Sequence, residues 1–176
     1  MRVIGGEFRS RRLKTLPGRT VRPTSDRLRE TLFNVLGDEI AGKVFVDAFA
    51  GSGAVGIEAL SRGAGRAVFI ENNRQAAGVI LANLRALNLD DRATVIQRPA
   101  LEALSDLAAG IVFLDPPYSQ AEQYRVVLGL LGQAPPPLVI AEHFKRLDLQ
   151  PAYGALRRVR LLGQGDSALS FFRPAG

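Results

Sequence analysis

Five short apolar runs, each followed by a segment that can form a helix, constrain the fold of this chain most strongly. They occupy residues 44–47, 67–71, 93–97, 111–115 and 138–142. The runs are continuously apolar and do not alternate with polar residues, which is typical of strands covered on both faces in a parallel sheet. The pattern therefore predicts an α/β fold with a mostly parallel sheet.

The segments between the runs have the apolar spacing of helices. One segment begins at a cap, Thr24 or Ser25, carries its apolar residues on one face and ends at Gly37. Another lies between Asn73 and Asn88 and has the same periodicity. Both are expected to cover the sheet.

The end of the chain is expected to close the sheet with an antiparallel pair. Residues 156–162 and 169–172 form two further strand-like segments, joined by a glycine-containing turn at 163–166. The 176 residues contain no linker, internal repeat or low-complexity stretch. This length suits one core and is too short for two.

Composition excludes several classes of chemistry. Cysteine is absent and there is one histidine, which argues against disulfides, a thiolate zinc site, a cysteine nucleophile and a zinc enzyme. No apolar stretch reaches the roughly 20 residues that cross a bilayer, and the first residues lack a signal-peptide core. We therefore expect a cytoplasmic protein without a metal or a membrane contact.

The net charge of +6 lies entirely in residues 1–30, which hold nine basic and three acidic side chains. A basic segment on a neutral body indicates contact with a polyanion, although a solubilising tail has the same composition. Phe8, Leu13 and Leu16 interrupt the charge and favour a folded hairpin. We predict a basic extension at 1–20, folded as a hairpin, and a single domain at 21–176.

Four of the five runs end on an acid: Asp47, Glu71, Asp115 and Glu142. Ligands of open α/β sheets bind at the carboxyl ends of the strands, so these acids are expected to line a binding site. Acids also favour the start of the helix that follows a strand. Both explanations can hold together.

Residues 47–56 contain a G-x-G-x-x-G pattern after one run, and Glu71 follows Gly51 by twenty residues at the end of the next. Such glycines let a nucleotide approach the backbone, and such an acid holds two ribose hydroxyls. The motif alone fits NAD and S-adenosylmethionine equally, or a turn without ligand. Asp47 and Phe49 favour a cationic amino-acid tail, and the chain has no second large domain for a hydride acceptor. S-adenosylmethionine is therefore the favoured cofactor.

The tetrapeptide Asp115-Pro116-Pro117-Tyr118 follows the fourth run. The Asp115 carboxylate and the Pro116 carbonyl can accept both hydrogens of an exocyclic amine, and Tyr118 can stack on its ring. Accepting those hydrogens turns the nitrogen lone pair toward an electrophile. A simple strand-ending turn is the alternative interpretation.

Over nearly its full length, the chain resembles the bacterial small-subunit ribosomal RNA guanine-N2 methyltransferases of the RsmD type. The resemblance lies in residues 2–6, 22–34, 47–56, 58–63 and 115–118. It implies a Rossmann-like class I methyltransferase fold with a seven-stranded sheet whose last strand is antiparallel. It also implies methyl transfer from S-adenosylmethionine to the N2 amine of one guanine in 16S rRNA, on assembled or nearly assembled small subunits, by a protein expected to be a monomer.

The resemblance, taken with the chemistry above, implies a role for each site residue. The cofactor-binding set is Arg22, Thr24, Asp47, Phe49, Gly51, Ser52, Gly53, Glu71, Asn72, Ala100 and Asp115. The catalytic set is Asp115, Pro116, Pro117 and Tyr118, acting on a flipped guanine. The RNA-binding set is Arg2, Arg9, Arg11, Arg12, Lys14 and Arg19. A helix cap is an equally good explanation of Thr24, and His143 is expected to be structural.

Three other functions fit parts of the sequence. Adenine-N6 methylation of nucleic acid uses a similar tetrapeptide but usually needs an added recognition domain. Glutamine methylation of a protein normally has Asn in place of Asp115. A non-catalytic RNA-binding assembly factor is the third, and the intact Glu71 and Asp115 argue against it.

Overall fold

One sheet of eight strands organises the computed structural model, which describes residues 1–17, 24–117 and 121–176. The strands are β1 Val44–Asp47, β2 Arg66–Ile70, β3 Ala93–Ile96, β4 Ile111–Leu114, β5 Leu138–Phe144, β6 Ala152–Tyr153, β7 Leu156–Gln164 and β8 Ser167–Pro174. The helices are α1 Asp26–Leu36, α2 Ala54–Ser61, α3 Arg74–Ala86, α4 Ala100–Leu104 and α5 Glu122–Leu131. Short 3-10 turns follow α1 at Gly37–Ile40 and precede β3 at Asp90–Arg92.

The strand order is β3-β2-β1-β4-β5-β8-β7-β6. Strands β1 to β5 are parallel, and β8 pairs antiparallel with both β5 and β7. The α/β fold, its mostly parallel sheet and the closing antiparallel pair are therefore confirmed. The expected count of seven strands is wrong by one in the described residues. The additional strand, β6, has two residues, which Gly154 (φ 57°) turns back against the start of β7.

The sheet separates two apolar layers because successive residues of each strand point to opposite faces. Phe45, Phe69 and Phe113 pack on the side of α1, α2 and α3. Val46, Val68 and Val112 pack on the side of α4 and α5. Burial on both faces explains the apolar runs of β1, β2, β4 and β5. The run at β3 differs, because this strand lies at the edge of the sheet and is only partly buried.

The caps of α1 and α3 follow the sequence pattern. Ser25 Oγ accepts a hydrogen bond from Leu28 N at 3.1 Å, and Asn73 Oδ1 accepts one from Ala76 N at 3.0 Å. Ser25 rather than Thr24 therefore caps α1, which leaves the Thr24 side chain for another contact. No helix in the described ranges combines the length and the apolar character needed to cross a membrane.

The N-terminal segment, residues 1–17, folds back on itself and is docked on the core. Backbone bonds join Val3 N to Arg11 O and Leu13 N to Met1 O, both at 2.9 Å. Val3 and Leu13 are buried in the same apolar layer as α1 and α2. The basic side chains are therefore carried on an ordered, anchored segment, while the proposed boundary at residue 20 lies outside the described residues.

The buried carboxylate of Glu58, in α2, anchors this segment. It accepts hydrogen bonds from Ile4 N and Gly5 N at 2.8 Å and from Arg62 Nε at 2.8 Å. Arg29 is also fully buried, and its Nη2 donates to Arg2 O at 2.6 Å. Two buried ionic side chains therefore hold the start of the chain against α1 and α2.

Candidate active site

An open cavity of about 1330 Å³ lies at the carboxyl edge of β1, β2 and β4. Parallel register brings the ends of these strands together, with Asp47 level with Phe69 and Phe113. The predicted site residues that line the cavity are Thr24, Asp47, Phe49, Gly51, Ser52, Glu71, Asn72, Ala100, Asp115, Pro116 and Pro117. Three of the four strand-end acids, Asp47, Glu71 and Asp115, therefore share one cavity, whereas Glu142 does not line it.

Gly53 is not part of this lining and is the left-handed N-cap of α2, with φ 85°. Arg19, Arg22 and Tyr118 lie outside the described residues.

Glu71 connects the glycine loop to the start of α3. Its Oε2 accepts a hydrogen bond from Gly51 N at 2.8 Å, and its Oε1 accepts one from Asn73 N at 2.9 Å. A carboxylate has about four acceptor positions, so these two bonds leave capacity on both oxygens. Glu71 is thereby fixed in orientation while it still faces the cavity.

Gly56, the third glycine of the motif, lets α2 pack directly on β2. A Cβ atom at Gly56 would lie 2.3 Å from Phe69 Cε1, a distance that requires atoms to move. Its N–H also donates to Asp47 Oδ2 at 3.0 Å. Helix packing therefore requires glycine here, and the backbone N–H also holds the Asp47 carboxylate.

Gly56→Ala should lower the free energy of unfolding by about 1–3 kcal/mol, because overpacking displaces Phe69 or α2. Gly78→Ala is the matched control, since Gly78 is also helical and has open space where its Cβ would be. That control should gain about 0.5–1 kcal/mol from helix propensity and a less flexible unfolded chain. Urea denaturation measures both, and equal effects would contradict the packing explanation.

Asp47 is an acid buried at the base of the cavity. Burial, together with the nearby charges of Glu71 and Glu142, raises the pKa of Asp47 to about 7, although the bond from Gly56 N opposes the shift. The side chain is 2% exposed. Such a group takes up or releases a proton near neutral pH, and a cation beside it would favour its charged form.

Asp115 lies beside Glu142 because Leu114 is in register with Ala141. Thr24 joins the two acids: its Oγ1 donates to Glu142 Oε2 at 2.6 Å and lies 3.4 Å from Asp115 Oδ2. Burial, with the charges of Glu142 and Asp47, raises the pKa of the Asp115 carboxyl well above its usual range. The base of the cavity is therefore acidic and suits a ligand that carries positive charge.

His143 has the structural role that its sequence position suggested. It is buried, with Nδ1 2.7 Å from the Phe144 carbonyl oxygen and Nε2 2.8 Å from Ser170 Oγ. Burial lowers its pKa. Within the described part of the chain, no group of three or more His, Asp or Glu side chains is arranged to hold a metal ion.

Asn83 is a site-associated residue that the sequence interpretation missed. Its side chain is buried in α3, where Oδ1 accepts from Lys14 N at 2.7 Å and Nδ2 donates to Lys14 O and Ser52 O at 3.0 and 3.1 Å. One amide therefore joins the N-terminal segment to the glycine loop. The available signal was a polar residue on the apolar face of a helix, three positions after Ile80.

The predicted RNA-binding residues do not all have the same surroundings. Arg2 and Arg12 face each other across an antiparallel bridge. Arg11 Nη2 instead donates to Ala86 O, at the end of α3, at 3.3 Å. Arg9 and Lys14 have exposed side chains. The basic segment thus presents several groups to solvent while one arginine contacts the body of the protein.

This fold, with a glycine loop after β1, an acid after β2 and a cavity at the carboxyl edge, is that of the Rossmann-like class I S-adenosylmethionine-dependent methyltransferases. Within that class, the chain belongs to the family described as Conserved hypothetical protein 95, whose model matches residues 1–173. The resemblance to the RsmD type is confirmed by 37% identity over 171 residues with the ribosomal RNA small subunit methyltransferase D of Escherichia coli K12. That match covers 93% of this chain and 86% of the relative.

Solved structures have the same architecture. The Escherichia coli protein YhhF matches with a TM-score of 0.85 and 30% identity, over 100% of this chain and 98% of that one. An RNA methyltransferase from Salinibacter ruber, solved in complex with S-adenosyl-L-homocysteine, matches with a TM-score of 0.68 and 20% identity. That second match covers 88% of this chain and 95% of the other, and it bears on the fold alone.

Proposed function

We propose that this protein transfers a methyl group from S-adenosylmethionine to the exocyclic N2 amine of a guanine in 16S rRNA. The observation that carries the proposal is that Glu71 and Asp115 line one cavity, since a nucleoside-binding acid and an amine-binding acid must act on the same pair of reactants. The 37% identity to a ribosomal RNA small subunit methyltransferase supports the choice of RNA. The protein acts as a cytoplasmic monomer on assembled or nearly assembled small subunits.

In this proposal the glycine loop and Glu71 hold the cofactor. The free acceptor positions of Glu71 bind the ribose hydroxyls, and Asn72 and Ala100 flank the adenine. Asp47 lies beside the positively charged methionine part. Phe49, Gly51, Ser52 and Gly53 enclose that part, and Thr24 and Arg22 close over it. S-adenosylmethionine supplies the electrophilic methyl group.

The amine is held by Asp115 and the Pro116 carbonyl, which accept its two hydrogens. Transfer is direct: the N2–methyl bond forms as the sulfur–methyl bond breaks, which yields S-adenosylhomocysteine. The amine then loses a proton to the Asp115 carboxylate, and a raised pKa suits that carboxylate to accept it. Pro117 and Tyr118 complete the clamp, with Tyr118 stacked on the guanine.

A labelled-methyl assay tests this function. The protein would be incubated with methyl-labelled S-adenosylmethionine and naked 16S rRNA, free small subunits or DNA, and the products digested to nucleosides for mass spectrometry. N2-methylguanosine in the small-subunit sample is the expected result. Label recovered as N6-methyladenine, or no label in any substrate, would contradict the proposal.

Cofactor affinity should rise with pH up to about 7. Below that pH Asp47 is mostly protonated, and binding an ammonium and a sulfonium near it must displace the proton. The association constant is therefore expected to rise up to about tenfold per pH unit below neutrality and to level off above it. Calorimetry between pH 5.5 and 8.5, in buffers with different ionisation enthalpies, measures the affinity and the released protons.

In Asp47→Asn, cofactor binding should release about one proton fewer than in the wild type. Asp115 acts in the same direction, so some pH dependence of cofactor affinity remains in the variant.

The stability of the cofactor-free protein should depend on pH with the opposite sign. The folded protein retains a proton on Asp47 that the unfolded chain releases near the ordinary pKa of 3.8. The free energy of unfolding should therefore fall as pH rises from about 4 to about 7. Identical pH profiles for both proteins would exclude Asp47 as the titrating group.

A further inference from the structure

Arg2 and Arg12 form a pair of like charges on the outer side of the N-terminal segment. They are bridge partners, and each precedes a residue that points into the core, Val3 or Leu13. The arginine side chains therefore project away from the core, and both are exposed. Together with Ser10 and Asp26 they line a second concavity of about 630 Å³.

Neither arginine of this pair forms an ion pair in the described residues. One acid, Asp26, lines the concavity with them, but its Oδ1 lies 3.1 Å from Arg29 Nη2. Like charges directly opposite each other across two strands destabilise the pairing. An anion between the two guanidinium groups would remove that repulsion.

The pair is held at a fixed place beside the main cavity. Met1 lines both the main cavity and the second concavity. The backbone of Arg2 is fixed by the bond from Arg29 Nη2, and the next residues are fixed by Glu58. An anion bound here would therefore lie beside the main cavity.

We propose that Arg2 and Arg12 together bind a phosphodiester group of the RNA, adjacent to the nucleotide whose base enters the main cavity. The inference rests on the proposed function and deepens it by separating a phosphate-binding pair from the remaining basic residues. A guanidinium offers a planar fork of donors that matches phosphate oxygens, and two forks facing one space can enclose one phosphate. Arg11, which contacts Ala86 O, stands outside the pair.

The test compares Arg2→Gln, Arg12→Gln and the double variant with Arg160→Gln. Arg160 is exposed on β7, three strands from β4, and makes no ion pair with described residues. Its substitution therefore removes one positive charge at a distance from the site and serves as the matched control. RNA affinity is measured against salt concentration with the substrate from the methylation assay. Each single change in the pair should weaken binding about tenfold at physiological salt. The double variant should reduce the log–log salt slope by about 0.7, the loss of one neutralised phosphate.

Three further readouts keep the result interpretable. Cofactor affinity should match the wild type, because both side chains lie on the surface. Thermal unfolding should occur at the wild-type temperature or slightly above it, because each change relieves the like-charge repulsion. KM for RNA should rise while the rate at saturating RNA stays within a few fold. A double variant that loses no more affinity than Arg160→Gln would overturn the inference. Wild-type protein that methylates no RNA would instead overturn the proposed function.

Discussion

Asp115→Asn should lower the single-turnover rate of methyl transfer by about 10²–10⁴-fold. Asparagine keeps the shape of the side chain and one acceptor oxygen, but it has no charge and accepts no proton. The loss is thus confined to the steps in which the nitrogen lone pair attacks the methyl group and the amine then releases a proton. Rapid-quench measurement with saturating RNA and cofactor isolates the chemical step.

The same variant should bind S-adenosylmethionine within a few fold of the wild type and should be more stable near pH 8. Burial and the neighbouring charges of Glu142 and Asp47 disfavour the ionised Asp115 carboxylate, so a neutral amide relieves that cost. Asp148→Asn, at an exposed position, is the control and should change neither the rate nor the stability. An Asp115→Asn variant that retains the full rate would contradict the proposed role of Asp115 in holding the amine.

Glu58→Gln should cost about 3–5 kcal/mol of the free energy of unfolding. Glu58 and Arg29 are both fully buried, with Arg29 Nε 3.9 Å from Glu58 Oε2. Arg29 Nε and Nη1 have no hydrogen-bond partner among the described residues, so the Glu58 carboxylate is a principal compensation for the charge of this guanidinium. A loss of this size is a large part of the 5–15 kcal/mol typical of a domain.

Urea denaturation of Glu58→Gln, Arg29→Met and the double variant gives the coupling between the two side chains. The double variant should be more stable than Glu58→Gln alone, because it no longer buries an uncompensated cation. Hydrogen exchange at Ile4 and Gly5 should accelerate in Glu58→Gln, since both amides donate to that carboxylate. Exposed Glu102→Gln is the control, and a cost below about 1 kcal/mol for Glu58→Gln would contradict this account.

The parallel part of the fold was predictable from local patterns. Burial on both faces makes the strands apolar throughout, so β1, β4 and β5 begin at the predicted residues. The acids that follow or end the strands also predicted the position of the cavity, because parallel strands end at the same edge of the sheet. By contrast, β6 is two residues long and is too short to have a periodic signal.

Other parts depend on contacts between distant residues, which no local pattern encodes. Thr24 reaches Glu142 across 118 positions, and Ile4 reaches Glu58 across 54. The sequence placed Glu58 in a block of resemblance but gave no reason for its charge. Its role becomes evident only when the N-terminal segment is seen to bring two amides and the neighbouring Arg29 around it.

The three bonds of Asn83 have a consequence for engineering. All of them join the amide to main-chain atoms of Lys14 and Ser52. They therefore depend on the backbone conformation at these positions and not on the side chains. Substitutions at Ser52, and any except proline at Lys14, should therefore keep the geometry between the N-terminal segment and the glycine loop, even where they change ligand binding. Asn83 itself is the position that engineering should leave untouched.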